Sequence, residues 1–478
     1  MSGLDSIVAG IEDDIIPGLQ YSLASKRGAK YVKQRNSSTF YPATSNTYSV
    51  ATGQRVVRVV LADSGSSMLD LSTVRIVMNI KNNDGAKPLA LTGRHLACIF
   101  SRVTARVKGV ITDDVTYYNR LVGMLQSFKP VNANYSDGVS QLGTGYSDYF
   151  PIAAASGVAG DNRLVANGLT IGGPEIDVIP AGASRTVLFD LPGISILNNH
   201  YLLPIGRFPL ELVLELVKQE KDVCAEKFQD PKTGAYTDGS LNFQIDSVEV
   251  KADTLLLDSA VTTNIEQALV GGTPLALHLR PWNVTQYEIA PGAKSWNQIF
   301  SRAYSRLLSI FVNFMPRAPP GDFAKLWTES NCFANWHGAA DWTPGLKPDY
   351  AKDRDSYRYQ VQLGTQLYPN VPIRSNAESY YHLQKCVGQL STGVGLAIGP
   401  TYRSTNFHLA TDFEKVSATP AGQADFSGQN TKMSGEQMRL VFEDVTAKSN
   451  EWEPKNMYIC ANYDEIVQLR IEGVVAAD

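Results

Sequence analysis

The sequence predicts an all-β protein made of a duplicated unit, each copy a β-sandwich or jelly roll. Three observations lead there. Side chains alternate with a period of two in several runs, one strand–turn–helix passage occurs twice, and the tracts between strands are too long for turns. A chain of 478 residues also exceeds what one hydrophobic core usually serves. Its 38 Gly, 24 Pro and 22 Tyr are the punctuation of many short strands joined by turns.

Hydrophobic residues at 44% and charged residues at 19% describe a folded chain and not a disordered one. The net charge of −4, with no basic run, argues against direct, sequence-specific nucleic-acid binding. The five cysteines (Cys98, Cys224, Cys332, Cys386, Cys460) are far apart, with neither zinc spacing nor a redox CxxC. Reduced, buried thiols and an intracellular folding compartment are therefore expected.

Taken in order, "MSGLDSIVAGIEDDIIPGL" is expected to be a short helix with Leu4, Ile7, Val8, Ile11 and Ile15 on one face, stopped by Pro17 and Gly18. It reads either as docked on the body or as a movable arm touching a neighbour or an inner membrane face. Its acids disfavour an anionic membrane and a secretory signal, and no apolar run reaches membrane-spanning length. An irregular stretch is expected to about residue 50.

Strands follow. "QRVVRVVLA" (54–62) sets Val56, Arg58 and Val60 two apart, and "STVRIVMNIKN" (72–82) sets Val74, Ile76, Met78 and Ile80 against Thr73, Arg75, Val77 and Asn79. "PLELVLELV" (209–217) points Leu210, Leu212, Leu214 and Leu216 one way and Glu211 and Glu215 the other. "NFQIDSVEVKADTLLLD" (242–258) is a further strand.

Two helices interrupt them. In "DDVTYYNRLVGMLQSF" (113–128), Tyr118, Leu121, Val122, Leu125 and Phe128 share a face, and Asp113 or Asp114 offers an N-cap. In "RSNAESYYHLQ" (374–384), Ser375 caps and Glu378 stands three residues on, a capping-box pattern, with Tyr381, Leu383, Gln384 and Val387 following. Pro372 weakens the preceding strand.

Each half thus runs strand, turn, helix with a Tyr-Tyr pair (117–118, 380–381), long loop, alternating strand and final strand. "FSRVTAR" (100–106) and "FSRAYSR" (300–306) offer a second alignment that conflicts with the Tyr-Tyr register. The expected division is an N-terminal helix and arm (1–49), a first unit (50–258), a connecting helix (259–272) and a second unit (273–478). The tracts 131–185 and 316–356 read as decorations between strands, forming towers or inter-subunit contacts.

No catalytic constellation stands out. His95, His200, His278, His337, His382 and His408 show no metal-ligand spacing. "GVGLAIG" (393–399) and "GAKS" (292–295) fall short of phosphate-binding loops, and no G-x-S-x-G elbow occurs. Carboxylate pairs such as Asp113/Asp114 and Glu451/Glu453 are ordinary surface features, and the Asn-x-Ser/Thr triplets at 36, 134 and 283 read as chance. Trp327, Trp336, His337 and Trp342 form either a sugar-stacking platform or a loop packing its aromatics on a neighbour. Catalytic, cofactor-binding and metal residues are expected to be none.

Distributed segments carry a resemblance. "PGLQYSL" (17–23), "STFYPATSNTYS" (38–49), "FSRVTARVKGVITDDVTYYNRL" (100–121), "YLLPIGRFPLELVLEL" (201–216), "QVQLGTQLYPNVPIRSNAESYYHLQK" (360–385), "TDFEKV" (411–416), "FSGQNTKMSGEQMRLVF" (426–442) and "YDEIVQLRIEGV" (463–474) resemble, in order, double jelly-roll major capsid proteins of the polinton, adintovirus and polinton-like virus group. The resemblance spans nearly the whole chain and is weakest in the long loops.

It implies two tandem jelly-roll barrels with short inserted helices, standing perpendicular to a shell, and a structural protein without enzymatic activity. It further implies homotrimeric, pseudo-hexameric capsomers tiling an icosahedral virion of a dsDNA virus assembled inside the host cell. Neighbouring trimers, penton and minor capsid proteins are the implied partners, with possible internal membrane contact through the N-terminal helix. The competing reading is a β-sandwich carbohydrate-binding protein or glycoside hydrolase.

Overall fold

The computed structural model describes residues 32–43, 45–91, 95–129, 178–199, 201–229, 236–300, 302–316, 333, 357–388, 407–415, 428–432, 437–445 and 454–477. The expected N-terminal helix, the tryptophan group, "GVGLAIG", Cys332, His200, His337, Asn134 and the pair Glu451/Glu453 lie outside these residues, as does most of both long tracts.

The first half runs β1 (Val32–Phe40), β2 (Thr47–Ser49), β3 (Val56–Leu61), β4 (Met68–Asp70), β5 (Arg75–Asn82), β6 (Leu89–Ala90), β7 (Phe100–Val107) and β8 (Val110–Thr116). Helix α1 (Tyr118–Ser127) follows, then β9 (Val178–Ile179), β10 (Ser184–Phe189), β11 (Leu202–Pro204), β12 (Leu210–Leu216), β13 (Lys227–Gln229), β14 (Tyr236–Asp238) and β15 (Phe243–Leu257). Helix α2 (Ser259–Val270) leads to β16 (Leu275–Leu279), β17 (Trp282–Glu288), β18 (Ser295–Phe300), β19 (Leu307–Pro316), β20 (Tyr357–Leu363) and β21 (Gln366–Ile373). The chain ends through α3 (Asn376–Cys386), β22 (Leu409–Asp412), β23 (Met438–Asp444), β24 (Pro454–Tyr463), β25 (Glu465–Arg470) and β26 (Gly473–Ala477).

Two four-stranded sheets have the same connectivity: β3-β12-β7-β8 and β18-β23-β20-β21. Each faces a second sheet built alike, with the last long strand, β15 or β24, between an early strand and the next in sequence. In the first half β15 has β1 and β2 on one side and β5 on the other, with β10 beyond. In the second half the order is β17-β24-β19-β22. The chain is therefore a double jelly roll, and a small sheet, β16-β25-β26, closes its C-terminal end.

The alternating runs fold as their periodicity requires. Leu210, Leu212, Leu214 and Leu216 are buried along β12, and Ile76, Met78 and Ile80 along β5. In β3 the buried set is Val57, Val59 and Leu61, leaving Val56, Arg58 and Val60 outside. A register shift near Ser247, at φ 51°, moves β15 from odd to even burial: Phe243 and Ile245, then Val248 and Val250. Each such buried apolar side chain contributes about 1.5–3 kcal/mol.

Four expectations need correcting. The irregular stretch before residue 50 contains β1 and β2; β1 lies on the sheet edge with most of its polar side chains in solvent, so no apolar alternation marks it. Neither Asp113 nor Asp114 caps α1, because both belong to β8. The helix starts instead at Tyr117, in the left-handed region at φ 52° and without a side-chain cap. Ser375 does cap α3, accepting from the Glu378 N–H, but the Glu378 carboxylate accepts from the Arg374 N–H rather than closing the box on Ser375. The tract 131–185 includes β9 and the start of β10.

The conflicting alignments are settled by topology. β7-β8-α1 and β20-β21-α3 occupy equivalent places, whereas "FSRAYSR" leaves β18 for a loop. The tyrosine pairs nonetheless sit differently, since Tyr117 is the N-cap of α1 and Tyr380 lies inside α3. Pro372 is tolerated near the end of β21 because β21 is an edge strand that pairs only with β20 among the described strands.

Candidate interaction surface

The densest set of contacts between distant side chains lies between the barrels. β8 ends one sheet of the first barrel and β17 ends one sheet of the second, and the two edges run side by side. The Thr116 hydroxyl donates to the Val284 carbonyl at 2.9 Å, and Lys108 Nζ donates to the Ile471 carbonyl at 2.7 Å.

Helix α1 fills the joint. Nine of its ten residues are buried. The Tyr117 ring meets Tyr458 edge-on at 5.4 Å, and Phe128 packs on Phe311 at 5.7 Å and on His408 at 5.2 Å. Such ring pairs add about 0.5–1.5 kcal/mol each beyond their buried area. The fully buried Arg120 guanidinium lies over Phe333 at 4.5 Å and Tyr458 at 4.7 Å, where exclusion of water strengthens the cation–π attraction. Phe333, midway along the tract 316–356, is thereby part of the joint.

Asn313 and His408 are matched inside the joint. His408 Nδ1 donates to Asn313 Oδ1 at 2.5 Å, and the Asn313 amide faces Met124 Sδ at 3.3 Å, which fixes which end of the side chain accepts. Just below α1, Asp113 accepts from the Ser195 N–H and hydroxyl at 2.9 and 2.7 Å and from the Ile196 N–H at 3.2 Å. Burial pushes its carboxyl above the usual range, against those bonds. Asp113 is thus a structural pin for the 191–196 turn and not the surface residue expected, whereas its neighbour Asp114 faces outward to Arg102 at 2.8 Å.

The described histidines do not converge. His95 accepts from the Ala97 N–H through Nδ1 and donates from Nε2 to Asp190 at 2.8 Å, while His382 sits on α3 and His278 on β16. Among the described residues no group of three or more His, Cys, Asp or Glu could hold a metal ion. Cys98, Cys224, Cys386 and Cys460 form no disulfide among the described residues, and burial pushes the Cys460 thiol up to about 12. No helix among the described residues is long and apolar enough to cross a membrane.

The equivalent elements of the second barrel have no such cover among the described residues. Only Ser379 and Leu383 of α3 are buried, and Leu367 and Val371 of β21 and Tyr381 of α3 are 39%, 65% and 52% exposed. On the first barrel, the edge that corresponds to β17 is β1, whose residues 33–37 are exposed. Sequence periodicity missed this contrast, because two similar amphipathic helices carry no mark of which one will find a partner in its own chain.

No protein-family model matches the sequence, and no curated protein matches it. Solved structures do. PBCV-1 VP54, as fitted into a cryo-EM reconstruction of the virophage Sputnik, is similar at 13% identity and a TM-score of 0.57, covering 94% of this chain and 98% of that one. The Faustovirus major capsid protein is similar at 10% identity and a TM-score of 0.55, covering 91% and 90%. A chain from the 3.5 Å cryo-EM structure of the Sputnik virophage is similar at 12% identity and a TM-score of 0.54, covering 94% and 89%. At these identities the likeness is one of fold, extending over both barrels.

Proposed function

We propose that this chain is a major capsid protein whose homotrimers form pseudo-hexameric capsomers of an icosahedral virion. One observation carries the reading: the first barrel offers β8 and α1 to the second barrel of its own chain, while the second offers β21 and α3 to solvent. Repeating the internal joint between chains, α3–β21 of one copy onto the β1 edge of the next, uses every joint once. Three chains then close a ring of six barrels, as a head-to-tail contact must if it is not to grow into a filament. The fold likeness to the Faustovirus major capsid protein supports the same reading.

In this reading the division is 1–49, 50–258, 259–272 and 273–478, with β1 and β2 of the arm completing the first barrel. The role is structural and non-enzymatic. Residues 1–16 face the shell interior and touch a membrane or a neighbouring protein, and penton and minor capsid proteins complete the particle. The sequence pattern resembles that of the polinton-like virus group. Deleting residues 1–16 blocks particle assembly; normal particles without them would remove that element.

The test of the main reading is solution mass by light scattering after size exclusion. A species near three times 52.2 kDa is expected, and Val371→Asp with Tyr381→Arg converts it to monomer. A folded wild type that stays monomeric under assembly conditions, or a double variant that stays trimeric, overturns it.

A further inference from the structure

Helix α1 covers the outer face of β19 and β24, where Phe311, Asn313 and Tyr458 are at most 3% exposed. The sheet orders make β5 and β15 the counterparts of those strands, with β10 the counterpart of β22. On the outer face of β10, β5 and β15, Leu188, Val77 and Glu249 form one row, and Thr186, Asn79 and Asp246 the next. All six are half-buried or exposed, whereas Ile76, Met78 and Ile80 on the inner side of β5 are fully buried. The first barrel thus has the face without the helix.

Helix α3 is the helix without a face. It follows β21 as α1 follows β8, yet only Ser379 and Leu383 are buried and Tyr381 is 52% exposed. Helix α1 reaches its face because β8 lies along β17, and β17 pairs with β24. The corresponding edge of the first barrel is β1 with β2, and both pair with β15. Tyr41, between these two strands, is 65% exposed. A body that brings β21 to this edge therefore carries α3 onto β15 and β5. The internal joint already holds the two barrels of one chain through β8 and β17, so helix and face meet only between copies.

We propose that the outer face of β10, β5 and β15 is the seat for helix α3 of a second copy of this chain, with the Tyr381 ring over Val77 and Leu188 and the Thr186–Asn79–Asp246 row beside it. The assignment rests on the trimeric reading above and names the partner surface of its contact. Tyrosine is a side chain of the kind that anchors interfaces, apolar in its ring and polar at its tip. The seat is chemically unlike the internal one. Where α1 meets Phe311 and Tyr458, α3 meets Val77, the Thr186 hydroxyl and the Asn79 amide, which donates to Asp246 Oδ1 at 2.9 Å. Permanent interfaces are the more hydrophobic class, so the contact between chains is the weaker of the two joints.

The test places photoreactive benzoylphenylalanine at position 381 of the full-length protein, sizes it by light scattering and irradiates it. A denaturing-gel band at twice the chain mass is expected, with crosslinks mapped by mass spectrometry to residues 75–82, 184–189 or 243–251. Thr186→Arg, at an exposed position, raises the concentration at which the trimer dissociates at least tenfold and leaves the dichroism melting curve of the monomer unchanged. A wild-type trimer whose crosslinks fall elsewhere, or within one chain, overturns the seat and leaves the trimeric reading standing, as does a Thr186→Arg protein that associates like the wild type. A folded wild type that stays monomeric under assembly conditions removes both.

Discussion

Thr116, the last residue of β8, donates its hydroxyl to the backbone carbonyl of Val284 in β17 at 2.9 Å. That bond ties an edge strand of one barrel to an edge strand of the other. Edge strands are where unpaired backbone invites association, and here one pair of edges is already occupied within the chain.

Truncation inside the joint destabilises the whole molecule. Leu121 is fully buried on α1, so Leu121→Ala costs about 2–5 kcal/mol of unfolding free energy. Urea denaturation followed by both tryptophan fluorescence and far-ultraviolet dichroism checks this, and coincident curves mean that the barrels unfold together.

The two tyrosine pairs separate stability from association. Tyr118 is fully buried and donates to the Pro192 carbonyl at 2.8 Å, so Tyr118→Phe strands that acceptor and lowers stability by about 1–3 kcal/mol. Tyr381 is 52% exposed, so Tyr381→Phe leaves monomer stability within about 0.5 kcal/mol. The comparison is made by denaturant titration of both variants at one protein concentration.

Acid weakens the fold through Asp190. Burial raises its carboxyl, but the hydrogen bond from His95 and the nearby charges of Lys129 and Arg75 prevail and hold it down to about 2. A carboxylate with a depressed folded-state pKa contributes stability above its unfolded value near 3.8, and that stability is lost as pH falls from about 4 to 2. Because the side chain is 38% exposed, the contribution is about 1 kcal/mol after screening. Asp190→Asn is therefore less stable than wild type at pH 7, and the difference vanishes by pH 2 in parallel pH–stability curves.

Gly206 has no room for a side chain. A Cβ there would sit 2.2 Å from the Gly65 carbonyl oxygen, which is backbone and cannot swing aside. Gly206→Ala shifts the turn between β11 and β12 and lowers stability by about 1–3 kcal/mol, read as a fall in melting temperature.

The strands that sequence reading located are those buried on one face only, such as β5 and β12, where a period of two is unavoidable. β1 escaped because "VKQRNSSTF" lies across a sheet edge with its side chains in water, leaving backbone pairing with β15 as its only signature. The start of α1 escaped because a left-handed Tyr117 performs the turn that a polar cap would otherwise mark, and Asp113 was needed to hold Ser195. The joint itself was invisible, since Arg120, Asn313 and His408 are far apart in sequence and acquire meaning only when the barrels meet.

The unequal fates of α1 and α3 loosen a geometric constraint. Six identical barrels in a ring must each turn by one sixth of a circle, with no tolerance at any joint. When joints inside a chain alternate with joints between chains, only the sum of one of each must make a third of a circle. In the proposed trimer, the joint within the chain around Thr116 and Val284 can drift in angle provided the outer face of α3 drifts to compensate, so two adjoining surfaces evolve as a pair while the ring still closes.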